Sequence, residues 1–118
     1  MSENKDYITR TEEAGSISVA TEAVALLVAD AIGEVEGVGA MSQNMAEQLA
    51  GKKAVRGVRV EEDGGQIVID VYLMVRYGYA IPEVAQKVQE SVMNAVGGMT
   101  GFDIRGVNVH VGGISFND

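Results

Sequence analysis

At 118 residues the chain suits one compact domain and leaves little room for a second. Its 9 Lys and Arg against 17 Asp and Glu give a net charge of −8, which repels phosphate backbones and anionic lipid and argues against broad nucleic-acid or direct membrane binding. Cysteine is absent and His110 is the single histidine, so disulfides, thiolate metal sites and cysteine nucleophiles are excluded and a multi-histidine metal site is out of reach.

Residues 1–14 carry few large apolar groups and read as a flexible N-terminal tail, leaving residues 15–118 as a single domain. Ile17 and Val19 alternate with Ser16 and Ser18, the pattern of a short strand after Gly15. From Thr21 the period changes: Val24, Leu27, Val28, Ala31, Ile32 and Val35 trace the stripe of an amphipathic helix. Thr21 is the expected N-cap, and Gly33 or Gly37 the stop. Val38 to Met41 then reads as a second short extended piece. Over residues 42–55, Met45, Gln48 and Leu49 allow a short helix ended by Gly51.

Val58 and Val60 alternate with Arg59 and Glu61, and Ile67, Ile69, Val71, Leu73 and Val75 alternate over a longer run. Gly64-Gly65 between them tolerates positive φ, so the segment is a β-hairpin with one long arm. Such strict alternation requires one covered sheet face. Pro82 suits a first helical position and Glu83 complements the helix dipole. The stripe Ile81, Val84, Ala85, Val88, Val92, Ala95, Val96 and Met99 is expected to end at Gly97-Gly98. Ile104, Val107, Val109 and Val111 give a C-terminal strand that sets Asn108 and His110 on its opposite face. The sum is an α+β two-layer sandwich, with two main amphipathic helices on one face of a four- to five-stranded mixed sheet.

The polar first fifteen residues lack the apolar run of a signal peptide. The stretch Ala23 to Ala29 is far shorter than the ~20 residues that cross a bilayer. Both observations, with the absence of cysteine, fit a cytoplasmic protein.

Motifs that carry chemistry are few, and each has a plain counterpart. Tyr77-Gly78-Tyr79, before the second main helix, is either a docking patch or a turn with one tyrosine packed beneath the helix. Gly98-Met-Thr-Gly101 matches the GxxG spelling of a K-homology RNA loop. That loop joins two helices among basic residues, whereas this one leads from a helix to a strand beside Asp103, as a helix C-cap does. Lys52, Lys53, Arg56 and Arg59 cluster four of the nine basic residues, as a patch for an acidic partner or as a solvated loop. Glu61, Glu62 and Asp63 at a hairpin tip rarely converge on one cation. No catalytic set, phosphate loop or paired carboxylates in a known frame is spelled out, and no cofactor or metal is expected.

Gly15-Ser-Ile-Ser-Val, Glu34-Val-Glu-Gly-Val, Gly57-Val-Arg-Val and Ile67-Val-Ile-Asp-Val-Tyr occur in an order that resembles the alkaline-shock-protein family of bacterial envelope-stress proteins. The most specific stretch is Val75-Arg-Tyr-Gly-Tyr-Ala-Ile-Pro-Glu-Val-Ala-Gln-Lys-Val-Gln-Glu-Ser-Val. Met99-Thr-Gly and Val107-Asn-Val-His-Val-Gly-Gly-Ile follow in the same order, and the resemblance covers about residues 15–116. It implies a non-enzymatic cytoplasmic protein of the envelope stress response, held in some members at the inner membrane face by a small membrane-anchored partner. It implies no catalytic or ligand residues. Relatives often place Ser or Asp where this chain has Ala20, at the start of the first helix.

The expectation is therefore a non-catalytic interaction protein, homo-oligomeric or partner-bound, without DNA binding or direct membrane insertion, and with RNA disfavoured. Its expected interface is Tyr72, Met74, Arg76, Tyr77, Tyr79, Asn108 and His110, with the sheet edges open to another chain. The alternative is a small-ligand or RNA-binding module using the sheet face and the GxxG turn.

Overall fold

The computed structural model describes residues 7–41, 43–51 and 54–116. Its elements run β1 (Tyr7–Glu12), β2 (Gly15–Ala20), α1 (Thr21–Gly33), β3 (Val38–Gly39), α2 (Gln43–Leu49), β4 (Val58–Asp63), β5 (Gln66–Arg76), α3 (Ile81–Thr100) and β6 (Ile104–Ser115).

Strand β5 is the spine of a mixed sheet. Its alternation is reproduced in burial: Ile67, Ile69, Val71, Leu73 and Val75 are buried, while the residues between them stay half-exposed. Strand β4 pairs antiparallel to it across a turn at Gly64 and Gly65, whose φ values are 62° and 86°. Strand β6 pairs parallel, which requires a crossover, and α3 supplies it. The amides of Tyr72 and Arg76 donate to Gly57 O and Gly37 O, each at 2.8 Å. Both are even-numbered, so β4 and β3 lie end to end along one edge of β5, with β6 along the other.

Helix α1 contributes Val24, Ala25, Val28 and Ile32, and α3 contributes Val84, Val88, Val92 and Val96. These residues, the odd residues of β5, Val58, Phe102 and Val107 form one core on one side of the sheet. Each fully buried valine contributes roughly 1.5–3 kcal/mol of transfer free energy, so the inward stripe holds the two layers together. Helix α2 lies on the other side. Its buried Met45 and Leu49 stand outside that core, and a Cβ at Gly112 would lie 2.6 Å from Met45 Cε.

The expected two-layer α+β architecture is present, with five local differences. The tail expected over residues 1–14 is, from Tyr7 onward, strand β1, paired antiparallel with β2 from Tyr7↔Ala20 to Glu12↔Gly15. One inward residue, Ile8, joins the core and anchors this arm. Strand β2, expected within the main sheet, pairs only in this separate two-stranded ladder. Ala20 rather than Thr21 is the N-cap of α1, in extended conformation without a side-chain cap bond. Helix α3 passes through Gly97 and Gly98 and ends at Gly101, a left-handed C-cap with φ 73°. Four buried valines outweigh the roughly 1 kcal/mol each interior glycine costs a helix. Ile81 and Met99, placed on the apolar stripe by spacing, are exposed at its two ends.

Candidate functional site

Even-numbered residues of β5, and of β6 between its two register shifts (Gly106, Asn108 and His110), point away from the helices, because successive strand residues alternate faces. The register sets Asp70 beside Asn108 and Tyr72 beside His110. Asp70 Oδ1 accepts a hydrogen bond from Asn108 Nδ2 at 3.2 Å and lies 3.0 Å from His110 Nε2. A carboxylate only accepts, so this contact places a proton on Nε2. The His110 ring stacks on Tyr72 with centroids 4.5 Å apart and planes 13° from parallel. Arg59 stands opposite Asp70 on β4 but directs its guanidinium to Glu61 at 2.7 Å. The result is a flat, open patch whose polar groups bond one another.

This patch unites three of the expected residues, Tyr72, Asn108 and His110, and adds Asp70. The signal for Asp70 was its charge at the centre of a long alternating strand. Met74 lies on the same face farther along, against the backbone of Gly113: a Cβ there would sit 3.2 Å from Met74 Cε. Beside it, α2 covers Gly112 with Met45, so this end of the face is partly roofed. Arg76 is half-buried at the end of β5.

The two tyrosines of the connecting turn part company. Tyr79 rests on Gly37, where a Cβ would meet Tyr79 Cδ2 at 2.8 Å, and its hydroxyl donates to Glu36 Oε2 at 3.2 Å. It packs the turn. Tyr77 is 72% exposed and pairs with Phe116, itself 70% exposed, at a centroid distance of 5.1 Å. Phe116 escaped the sequence reading because nothing in its neighbourhood marked it as Tyr77's partner.

The remaining motifs take their plain roles. Gly98 to Thr100 form the last turn of α3, and Arg10 Nη1 donates to Gly101 O at 2.8 Å, occupying the turn. Lys52 and Lys53 lie outside the described residues, while Arg56 lines an open groove with Met41, Ala46, Leu49, Ala50 and Ala54. Among the described residues that lining brings one ionisable side chain and no acid–base pair. Asp63 at the hairpin tip is paired with Arg105. Among the described residues no group of three His, Cys, Asp or Glu side chains is placed to hold a metal ion, and no helix is long and apolar enough to cross a membrane.

Comparison with known proteins gives a consistent picture. The model of the Asp-23 (alkaline shock protein 23) family, the alkaline-shock family of cell envelope-related function, matches residues 9–116. Among curated proteins, the chain is 35% identical to the uncharacterized protein YqhY of Bacillus subtilis over 107 residues, covering 87% of this chain and 79% of that one. It is 36% identical to the uncharacterized YloU of the same organism, covering 85% and 88%. The uncharacterized Spy1535 of Streptococcus pyogenes is 31% identical, covering 88% and 82%. Among solved structures, the MamM CTD M250L chain aligns at 23% identity and a TM-score of 0.48, covering 78% of this chain and 95% of that one.

Proposed function

The chain belongs to the alkaline-shock-protein family, whose function is cell envelope-related, and from that membership we propose that it acts without catalysis, binding protein partners through the outer face of its sheet. The observation that supports this most is the Asp70–Tyr72–Asn108–His110 patch. Asp70 already accepts both neighbours, so the rings of Tyr72 and His110 form a preorganised platform rather than a set of free acid–base groups. Rigid aromatic anchors on a flat surface suit protein recognition. The exposed Tyr77–Phe116 pair extends the apolar contact area beyond the end of β5. In this reading the protein is cytoplasmic and serves the envelope stress response. It reaches the inner membrane face through a small membrane-anchored protein, since a net charge of −8 opposes direct contact with anionic lipid.

The cysteine-free sequence allows a direct test. Asn108→Cys carries a photocrosslinker at the centre of the patch, and Glu90→Cys carries it on the exposed side of α3. In the membrane fraction of the native cell, the first is expected to trap a discrete partner other than a second copy of this chain, and the second is not. Equal labelling from both positions, or none from position 108, refutes the proposal. The stacked Tyr72–His110 pair also favours a second reading, in which a planar base stacks on the platform. Binding to short RNA oligomers with an affinity that falls steeply with salt would establish it.

A further inference from the structure

The sheet has two edges, and they are built differently. Four of the six residues of β4 are charged, and Val58 on its outer edge exchanges two backbone hydrogen bonds with Val55, at 2.8 and 2.9 Å. Charge and covering are the usual protections of an edge strand. Strand β6 is less protected on both counts. It runs 12 residues with one charged side chain, Arg105, and no proline.

The direction of its backbone groups follows from the ladder. The amides of Ile67 and Tyr77 donate to Asp103 O and Ser115 O, so the odd residues of β5 face β6. In a parallel pair each of these bonds to the residues flanking its partner. With Ile69, Val71 and Leu73 partnered by Val107, Val109 and Val111, those three valines turn their N–H and C=O groups outward. Gln89 of α3 confirms the direction, since its Nε2 donates to Val107 O at 3.1 Å from outside the sheet. The same bond sets Gln89 beside the edge, and helical spacing adds Gln86, Met93 and Gly97 to that side of α3. All four are exposed and uncharged, and Met93 is 50% exposed.

We propose that the β6 edge and the flanking α3 stripe are a homodimer interface, in which β6 of a second copy pairs antiparallel about a two-fold axis at Val109. The occupant is a second copy because the strand complements itself. Reversed about Val109, Ile104 meets Ile114, Gly106 meets Gly112 and Val107 meets Val111. Arg105 meets Gly113, and Asn108 meets His110. No like charges face each other, and the helix-side valines join into one apolar strip. Val107 O keeps its Gln89 bond, because a carbonyl accepts two hydrogen bonds. The protected β4 edge denies β6 a second docking place, so association closes at two subunits rather than growing into a filament.

The test uses the full chain and does not depend on any outside partner, so its failure leaves the partner-binding proposal standing. Sedimentation equilibrium is expected to show a monomer–dimer equilibrium. Hydrogen exchange is expected to show Val109 and Val111 amides gaining protection as concentration rises. Gln86→Glu with Met93→Glu introduces four carboxylates across the two-fold and should weaken the dimer at least tenfold. Ala23→Glu on exposed α1 should not. Both changes are at exposed positions, and circular dichroism checks that the fold persists. A monomer at all concentrations overturns the proposal. So does a dimer whose Val109 and Val111 amides stay unprotected, or one that the α3 double variant leaves intact.

Discussion

Asp70 is the residue on which the geometry of the open face turns, and Asp70→Ala tests that directly. Its side chain is 18% exposed and is contacted by Asn108 Nδ2 at 3.2 Å and His110 Nε2 at 3.0 Å. A hydrogen bond contributes about 0.5–1.5 kcal/mol net, and the larger penalty of about 1–3 kcal/mol applies only when the remaining partner is buried and unsatisfied. Here Asn108 and His110 are exposed, so both donors turn to water in the variant. The expected loss is therefore about 1 kcal/mol. An unfolding entropy of roughly 2.1 cal/mol/K per residue makes that about a 4 °C fall in Tm for this chain. The effect on order is larger than the effect on stability. With one histidine in the sequence, nitrogen NMR reads the imidazole without ambiguity, and the Nε2–H tautomer of the parent should give way to a mixture. Asp70→Asn keeps one acceptor oxygen and should restore part of the preference. A loss above about 3 kcal/mol would mean that Asp70 supports the core rather than the face. An unchanged tautomer would mean that the carboxylate does not orient the ring.

Gly37→Ala meets two obstacles at once. The backbone φ is 98°, and a Cβ would lie 2.8 Å from both Tyr79 Cδ2 and Val84 Cγ2. Strain of about 1–2 kcal/mol and overpacking of about 1–3 kcal/mol together predict a loss of about 2–5 kcal/mol in chemical denaturation. Gly98→Ala should act oppositely, stabilising by about 0.5 kcal/mol, because the position is helical and nothing lies within 4 Å of the new Cβ; destabilisation would place the end of α3 at the glycines. Met45→Ala should accelerate hydrogen exchange in α2 while leaving the α3 amides unchanged, since Met45 stands outside the main core; equal acceleration in both would make α2 part of one cooperative unit. The purified protein should remain at the bottom of a flotation gradient with anionic vesicles, and robust flotation without a partner would remove the need for an anchor.

The architecture was legible because its signals are long. Strand β5 alternates over its whole length, and α3 buries a valine every fourth residue from Val84 to Val96. Where the reading failed, a weak local preference lost to packing. Gly97-Gly98 spells a helix end, yet the burial of Val92 and Val96 carries the helix on to Gly101, where the left-handed cap is available. Strand β1 has one inward residue, Ile8, so its sequence shows no apolar face, and its partner β2 supplies the order. The open face was half legible. Alternation placed Tyr72, Asn108 and His110 on it, but Asp70 acquires its role only through pairing with residues 38 and 40 positions away. That register includes a shift between Ile67 and Val68, and no short-range pattern encodes a shift. Tyr79 and Tyr77 share one motif, and only the contact of Gly37 with Tyr79 separates the packing residue from the exposed one.

The proposed dimer and the proposed partner face are geometrically compatible. One uses the edge of the sheet in its own plane, and the other uses the surface normal to it. Pairing through β6 would set two Asp70–Tyr72–Asn108–His110 patches side by side on one continuous sheet, with Asn108 of each copy opposite His110 of the other. Against partners confined to a membrane, such a doubled platform binds bivalently, and a second intramolecular contact can raise overall affinity by about 10²-fold or more without any new residue at either site. The Gln86→Glu and Met93→Glu variant leaves every residue of the patch in place. It should nevertheless be released from native membranes at far lower dilution than the parent, while Ala23→Glu is retained. If the monomeric variant stays bound as firmly as the parent, avidity plays no part and each patch must hold its partner alone.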